Sequence, residues 1–226
     1  MRHEIKIPIH SSHHIYFENW INSIRGIKRH YDNRHVNSIY YDTLNYQNAR
    51  DNINGISNRS KTRVRWYNNN FTEKKLEIKI KKNNLGKKLY LNSKFFDDIN
   101  NINQIKNFII KKKDFLTKKD INQPCQSIIY LYDNLKPVTM VTYKRSYFKY
   151  ENSIRITYDQ EMIYSLIDKN CKPNDVFKDT KNIIEFKFEK KYYEKAKYLL
   201  NNLKFRQSRF SKYLRSLYSF NKAIYF

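Results

Sequence analysis

Residues 60–67 read SKTRVRWY, with Lys61, Arg63 and Arg65 at every second position and Thr62, Val64 and Trp66 between them. Alternation with a period of two is that of a β-strand, so one face is apolar and the other is a row of cations. A half-buried strand ordinarily turns its charges to water. Whether this row faces solvent or a strongly negative ligand depends on what the rest of the chain sets beside it.

The same alternation recurs in HEIKIPI (3–9), VNSIYYDT (36–43), KLEIKIKK (75–82), MVTYKRSYF (140–148), SIRITYD (153–159) and NIIEFKFEK (182–190), with KKLYLN (87–92) and KFRQS (204–208) as edge candidates. Helical patterns cover 12–25, where Ser11 or Ser12 can cap, and 94–115, 189–202 and 209–222. YNNN (67–70) and DDINNINQ (97–104) read as loops or helix edges. Glycine and proline number only 3 and 4, so no flexible linker divides the chain, and residues 1–226 read as one domain. Many strands with a few helices predict an α+β fold built on a mostly antiparallel sheet or barrel.

Three strands repeat one triplet: Glu4-Ile5-Lys6, Glu77-Ile78-Lys79 and Glu185-Phe186-Lys187. Taken singly, each is a cross-strand ion pair on a solvated face, contributing tenths of a kcal/mol. Taken together as neighbours, their polar faces would line one surface with Lys6, Lys61, Arg63, Arg65, Lys79, Lys81, Arg145, Arg155 and Lys187. Cations that dense repel one another on an open sheet, and buried without a partner they cost several kcal/mol each. A closed barrel around a polyanion removes both difficulties, because barrel strands point alternate residues inward.

The balance of charge agrees. Lys and Arg total 45 against 21 Asp and Glu, a formal +24, which favours a phosphate-rich or anionic partner. Nucleic acid, nucleotides, polyphosphate and anionic lipid share that property. Cys125 and Cys171 lack metal-ligand spacing and suit a reducing compartment. The opening MRHEIKIPIH lacks a signal-peptide apolar run, and no stretch approaches the ~20 apolar residues of a membrane helix. These features predict a cytoplasmic protein without a transmembrane segment, and they leave its oligomeric state and any membrane partner open.

In order along the chain, RHEIKIPI, SIYYDT, RSKTRVRWY, LEIKIKKNNLGKK, VTYKRSYF, IRITYD, IIEFKF and FRQSRFSKYLRSLY resemble the VTC domain. That domain is the polyphosphate polymerase module of the vacuolar transporter chaperone complex, within the CYTH-like triphosphate tunnel superfamily. The resemblance implies an eight-stranded antiparallel tunnel with flanking helices and a C-terminal helix, a nucleoside triphosphate substrate and a divalent metal, Mn²⁺ or Mg²⁺. It implies that Lys6, Arg63, Arg65, Lys79, Arg145, Arg155 and Lys212 act on the phosphates. Lys88, Tyr143, Arg209 and Ser211 would join Lys61, Lys81 and Lys187 in holding substrate, and Glu185 would bind the metal. Arg209 stands where the family commonly has lysine. Hydrolytic tunnel enzymes open with E-x-E-x-K, whereas Arg2 stands here at the first Glu position, and whether Glu4 or Glu77 touches metal stays open.

Fewer acids and more bases suit holding a long phosphate chain better than activating water. The expected activity is therefore ATP-dependent polyphosphate polymerisation, a phosphotransferase reaction that needs positioning and charge neutralisation. A polyphosphate end is already ionised, so no general base is required. A triphosphatase and a non-catalytic polyphosphate or nucleotide sensor are the alternatives, and a nucleic-acid-binding protein is the rival from another class. His13 and His14, being adjacent, point in different directions and make a poor metal pair. Trp20, Tyr40, Tyr41 and Trp66 read as packing residues, and Lys111, Lys112, Lys113, Lys118 and Lys119 as a solvated face.

Overall fold

A computed structural model of the chain describes residues 2–82, 85–91, 98–111, 132–167 and 176–222. Cys125, Cys171, Lys112, Lys113, Lys118 and Lys119 lie outside them. Among the described residues ten strands form: β1 (Arg2–His10), β2 (Ile27–Asp42), β3 (Arg59–Tyr67), β4 (Asn70–Lys82), β5 (Leu85–Leu91), β6 (Ile110–Lys111), β7 (Asn134–Tyr150), β8 (Ile154–Leu166), β9 (Val176–Lys178) and β10 (Lys181–Glu189). The α-helices among the described residues are α1 (His14–Ser23), α2 (Gln47–Ile53), α3 (Ile102–Asn107), α4 (Tyr193–Leu203) and α5 (Lys212–Ser219). No described helix is long and apolar enough to cross a membrane.

Hydrogen bonding orders the main sheet β1-β10-β8-β7-β2-β3-β4-β5, with β6 on β7 and β9 on β8. The pairs β1–β10, β10–β8, β3–β4, β4–β5 and β6–β7 are antiparallel. The expected mostly antiparallel sheet with a few helices is present. The expected closure is not: among the described residues the path of eight strands has two ends, β1 and β5. The 204–208 stretch is not a strand, and the helix expected over 94–115 is confined, among described residues, to α3. Arg209, Phe210 and Ser211 precede the last helix instead of opening it.

The chain divides into two compact units. The first comprises residues 1–36, 142–163 and 178–211. In it Ile7 and Ile9 of β1, Ile154, Ile156 and Tyr158 of β8, and Ile184, Phe186 and Phe188 of β10 form one buried face. Phe17, Trp20 and Ile21 of α1, and Ala196, Leu199 and Leu203 of α4, recur at helical spacing and cover that face. Full burial of each large side chain stabilises by about 1.5–3 kcal/mol.

The second unit comprises residues 37–141, 164–177 and 212–226. Ile39 and Tyr41 of β2, Val64 and Trp66 of β3, and Leu76, Ile78 and Ile80 of β4 pack with Ile99, Ile105, Ile110 and Leu135. Trp20, Tyr41 and Trp66 are thus core residues. Asn68, in the turn joining β3 to β4, has φ +50°, a conformation asparagine tolerates better than most residues. The YNNN stretch is this turn.

Candidate functional site

Strand alternation that sends apolar residues to each core leaves a polar face on the other side of each sheet. Each unit carries one cluster of charges on that face.

In the second unit the β3–β4–β5 register sets Lys61 opposite Lys79, and Lys79 opposite Lys88. Three lysines in line across three strands repel one another, since like charges directly opposite destabilise a sheet. One register step away Arg63 faces Glu77, and beyond it Arg65 faces Lys75. Arg59 faces Lys81 at the other end. Arg63 donates Nε–H to Glu77 Oε2 at 2.7 Å, its Nη2 lies 2.6 Å from the same oxygen, and Lys88 Nζ lies 3.1 Å from Oε1. Arg65 is buried and donates Nε–H to Ser38 Oγ at 3.0 Å. Lys212, the first residue of α5, adds a further cation near Tyr40.

Burial would push the Glu77 carboxyl up, but Arg63, Arg65 and Lys88 outweigh it and hold it at about 2, against an ordinary 4.5. A folded-state value below the unfolded one stabilises the fold above pH 4.5, and the gain is lost as pH falls toward 2. The gap corresponds to about 3 kcal/mol. Chemical denaturation should therefore show wild type losing stability by that order between pH 4.5 and 2, and Glu77→Gln losing less. Equal acid dependence in both proteins would remove Glu77 as the responsible group.

Behind this cluster, Asp42 is buried and accepts N–H bonds from Thr43, Asn48 and Ala49, which seats the start of α2. Tyr213 of α5 donates its hydroxyl to Asp42 Oδ2 at 2.5 Å. The Tyr213 ring stacks on Tyr40, 5.2 Å between centroids and 18° between planes.

In the first unit, β1 pairs with β10 so that Glu4 faces Lys187 and Lys6 faces Glu185, a checkerboard of opposite charge. Two of the three Glu-apolar-Lys triplets are therefore direct neighbours, and Glu77-Ile78-Lys79 belongs to the other unit. On the far side of β10, Lys187 faces Arg155 and Glu185 faces Thr157. Lys187 Nζ ion-pairs with Glu185 Oε1 and lies 3.8 Å from Glu4 Oε2, while Lys6 Nζ lies 3.2 Å from Glu4 Oε1. Arg145 grips Asp159 through two parallel bonds, Nε to Oδ1 at 2.5 Å and Nη2 to Oδ2 at 2.7 Å, and its Cζ stands 5.2 Å from the Tyr143 ring centroid. Lys6 Nζ also donates to the Phe210 carbonyl at 3.1 Å, and Ser208 N–H donates to the Lys6 carbonyl at 3.0 Å. These bonds hold the segment carrying Arg209 and Ser211 on β1; Arg209 is exposed and Ser211 half-buried.

Glu185 is 5% exposed. Burial and the Glu4 charge push its carboxyl up, but Lys187, Lys6 and Arg145 prevail and hold it below the ordinary value. It is thus anionic at neutral pH. Its Oε1, though ion-paired, takes no aligned hydrogen bond, and neither does the buried Oγ1 of Thr157 opposite. Among the described residues no three His, Cys, Asp or Glu side chains cluster in metal-binding fashion. Two carboxylates with a spare hydroxyl oxygen do not make a closed cage. They do fit a hard divalent cation that keeps waters and shares its other positions with phosphate oxygens, as Mg²⁺ and Mn²⁺ do.

The sequence-predicted residues thus fall into two sets. Lys6, Tyr143, Arg145, Arg155, Glu185, Lys187, Arg209 and Ser211 belong to the first unit, and Lys61, Arg63, Arg65, Lys79, Lys81, Lys88 and Lys212 to the second. Sequence reasoning missed Asp159, 14 residues from Arg145, and the stack in which Tyr213 meets Asp42 across 171 residues and packs on Tyr40. Tyr40 had a usable signal, since it lies in step with Ser38 and Asp42 on the polar side of β2. His14 Nδ1 meets the Tyr158 hydroxyl at 3.2 Å while His13 packs on Phe205, so the two do not converge.

A strand-rich sheet with dense cations and a few buried carboxylates on its polar face favours anionic ligands. The family model for the VTC domain matches residues 1–221, and the chain belongs to that family. Comparison with the curated proteins finds no significant match. Among solved structures, an adenylyl cyclase candidate from Hippeastrum, described as having a dominant triphosphatase activity, aligns at TM-score 0.55 and 13% identity, over 96% of each chain. A protein of Pyrococcus horikoshii OT3 aligns at 0.49 and 15% identity, over 97% of this chain and 98% of its own. An adenylate cyclase candidate from Vibrio parahaemolyticus aligns at 0.49 and 13%, over 94% and 95%. The Hippeastrum likeness shows a shared fold.

Proposed function

We propose that the chain is an ATP-dependent polyphosphate polymerase, a reading supported by the family match over residues 1–221. The observation that carries this reading is the in-register row Lys61–Lys79–Lys88. That row runs across β3, β4 and β5, so it offers positive charge along a line that an extended polyanion can follow. Arg63 and Arg65 grip the nucleotide triphosphate, because a planar guanidinium donates bidentately to phosphate and keeps its charge at all working pH values. Lys88 and Lys212 add to that grip, with Lys81 at its margin. Glu185, with Glu4, would hold a Mn²⁺ or Mg²⁺ ion, which neutralises charge on phosphate oxygens when bound. Lys6, Arg145, Arg155 and Lys187 offset the charge of the growing chain, and Tyr143, Arg209 and Ser211 contact substrate.

Triphosphate hydrolysis is the second reading, favoured by family-level chemistry and by the activity described for the Hippeastrum protein. One assay separates them: purified protein with ATP and Mn²⁺ should give ADP and an acid-labile polymer degraded by exopolyphosphatase. Orthophosphate as the sole phosphate product would replace polymerase by triphosphatase. Tight polyphosphate binding with no turnover would replace both by a sensor.

A further inference from the structure

Tyr40, read from the sequence as a packing residue, stands among the cations. Its hydroxyl accepts a hydrogen bond from Arg63 Nη1 at 3.2 Å, while Arg63 Nε and Nη2 go to Glu77. Its ring is backed by Tyr213, which Asp42 anchors to the start of α2. The phenol is 6% exposed, so the rigid stack fixes where its oxygen sits. Glu77 on one side and Tyr40 on the other thereby set the plane of the Arg63 guanidinium.

We propose that Tyr40 is a positioning residue of the triphosphate grip: its neutral hydroxyl orients Arg63, and its ionisation weakens the hold on phosphate. The inference rests on the reading of Arg63 and Arg65 as triphosphate ligands. Among the described residues, Arg63 and Arg65 from β3 and Lys212 from α5 act on the Tyr40 phenol, the Tyr213 ring stacks on it, Asp42 lies two residues along its own strand, and Glu77 of β4 acts through Arg63. Burial resists ionisation of the phenol, but Arg63, Arg65 and Lys212 outweigh it and bring the group below its ordinary value of 10. A phenolate there cancels one of the positive charges that phosphate needs. Phosphate therefore binds the neutral form more tightly, and affinity falls as pH rises through the phenol's titration. The variant, and not the wild-type profile alone, isolates Tyr40.

Binding of tripolyphosphate to the full chain, followed by calorimetry from pH 7.5 to 10, tests this. Tyr40→Phe should bind a few-fold more weakly at pH 7.5, through the lost orienting bond. Its alkaline decline should be shallower than that of wild type by about tenfold across the range. A second measurement needs no variant: tripolyphosphate added to wild type should move one tyrosinate absorbance transition to higher pH. Parallel pH profiles in the two proteins, or no displaced transition, would overturn the role of Tyr40 while leaving the triphosphate site standing. Wild type that does not bind tripolyphosphate at pH 7.5 would overturn the triphosphate reading and this inference together.

Discussion

Glu185→Gln should reduce Mn²⁺-dependent turnover by about a thousandfold or more while leaving tripolyphosphate binding intact or stronger. The substitution keeps the shape of a side chain buried between Lys187 on its own strand and Lys6 on β1, and removes only its charge. Lys187 retains Glu4 as an anionic neighbour, so no cation is left without a carboxylate nearby. The cluster becomes more positive by one charge, which favours phosphate. Loss of turnover with gain of phosphate affinity is a signature that unfolding does not produce. Titration of Mn²⁺ by the disappearance of its free-ion electron paramagnetic resonance signal should show weakened metal binding in the same variant. Wild-type turnover in Glu185→Gln would remove the carboxylate from the chemistry.

Much of this arrangement is legible from alternation alone. Lys61, Arg63 and Arg65 do share the polar side of β3, and Thr62, Val64 and Trp66 turn the other way, to buried positions. Period two decides the face because a strand core must be apolar on one side. It does not decide which strands are neighbours, and there the expectation was too simple. Two Glu-apolar-Lys triplets pair directly while the third lies in the other unit, and the sheet that was expected to close has two ends. The first half of β2 was invisible because residues 28, 29 and 31–35 are exposed without alternation, so no hydrophobic period marks them. Helix α2 was missed for a related reason: QNARDNI is polar, and its start is held by Asp42 from outside the helix. Partners distant in sequence, such as Asp159 for Arg145 and Tyr213 for Asp42, leave no local trace.

Arg63→Ala should lower both nucleotide affinity and turnover, the latter by about a thousandfold or more, since an arginine on transferring phosphate contributes on that order. Loss of one phosphate contact is only part of the effect. Arg63 also neutralises Glu77, which is 6% exposed and, among the described residues, keeps Lys88 as its direct ion-pair partner once the guanidinium is gone. A buried carboxylate stripped of its main partner costs stability and repels the incoming phosphate. The double variant Arg63→Ala/Glu77→Gln separates these contributions. It should regain stability and part of the triphosphate affinity, because the orphaned charge is gone, but not turnover, because no guanidinium is restored. Arg63→Lys keeps the charge yet cannot span Glu77 and Tyr40 at once, so it should fall between alanine and wild type in affinity. Unchanged KM and kcat in Arg63→Ala would detach the β3 row from the substrate and return it to an ordinary solvated strand face.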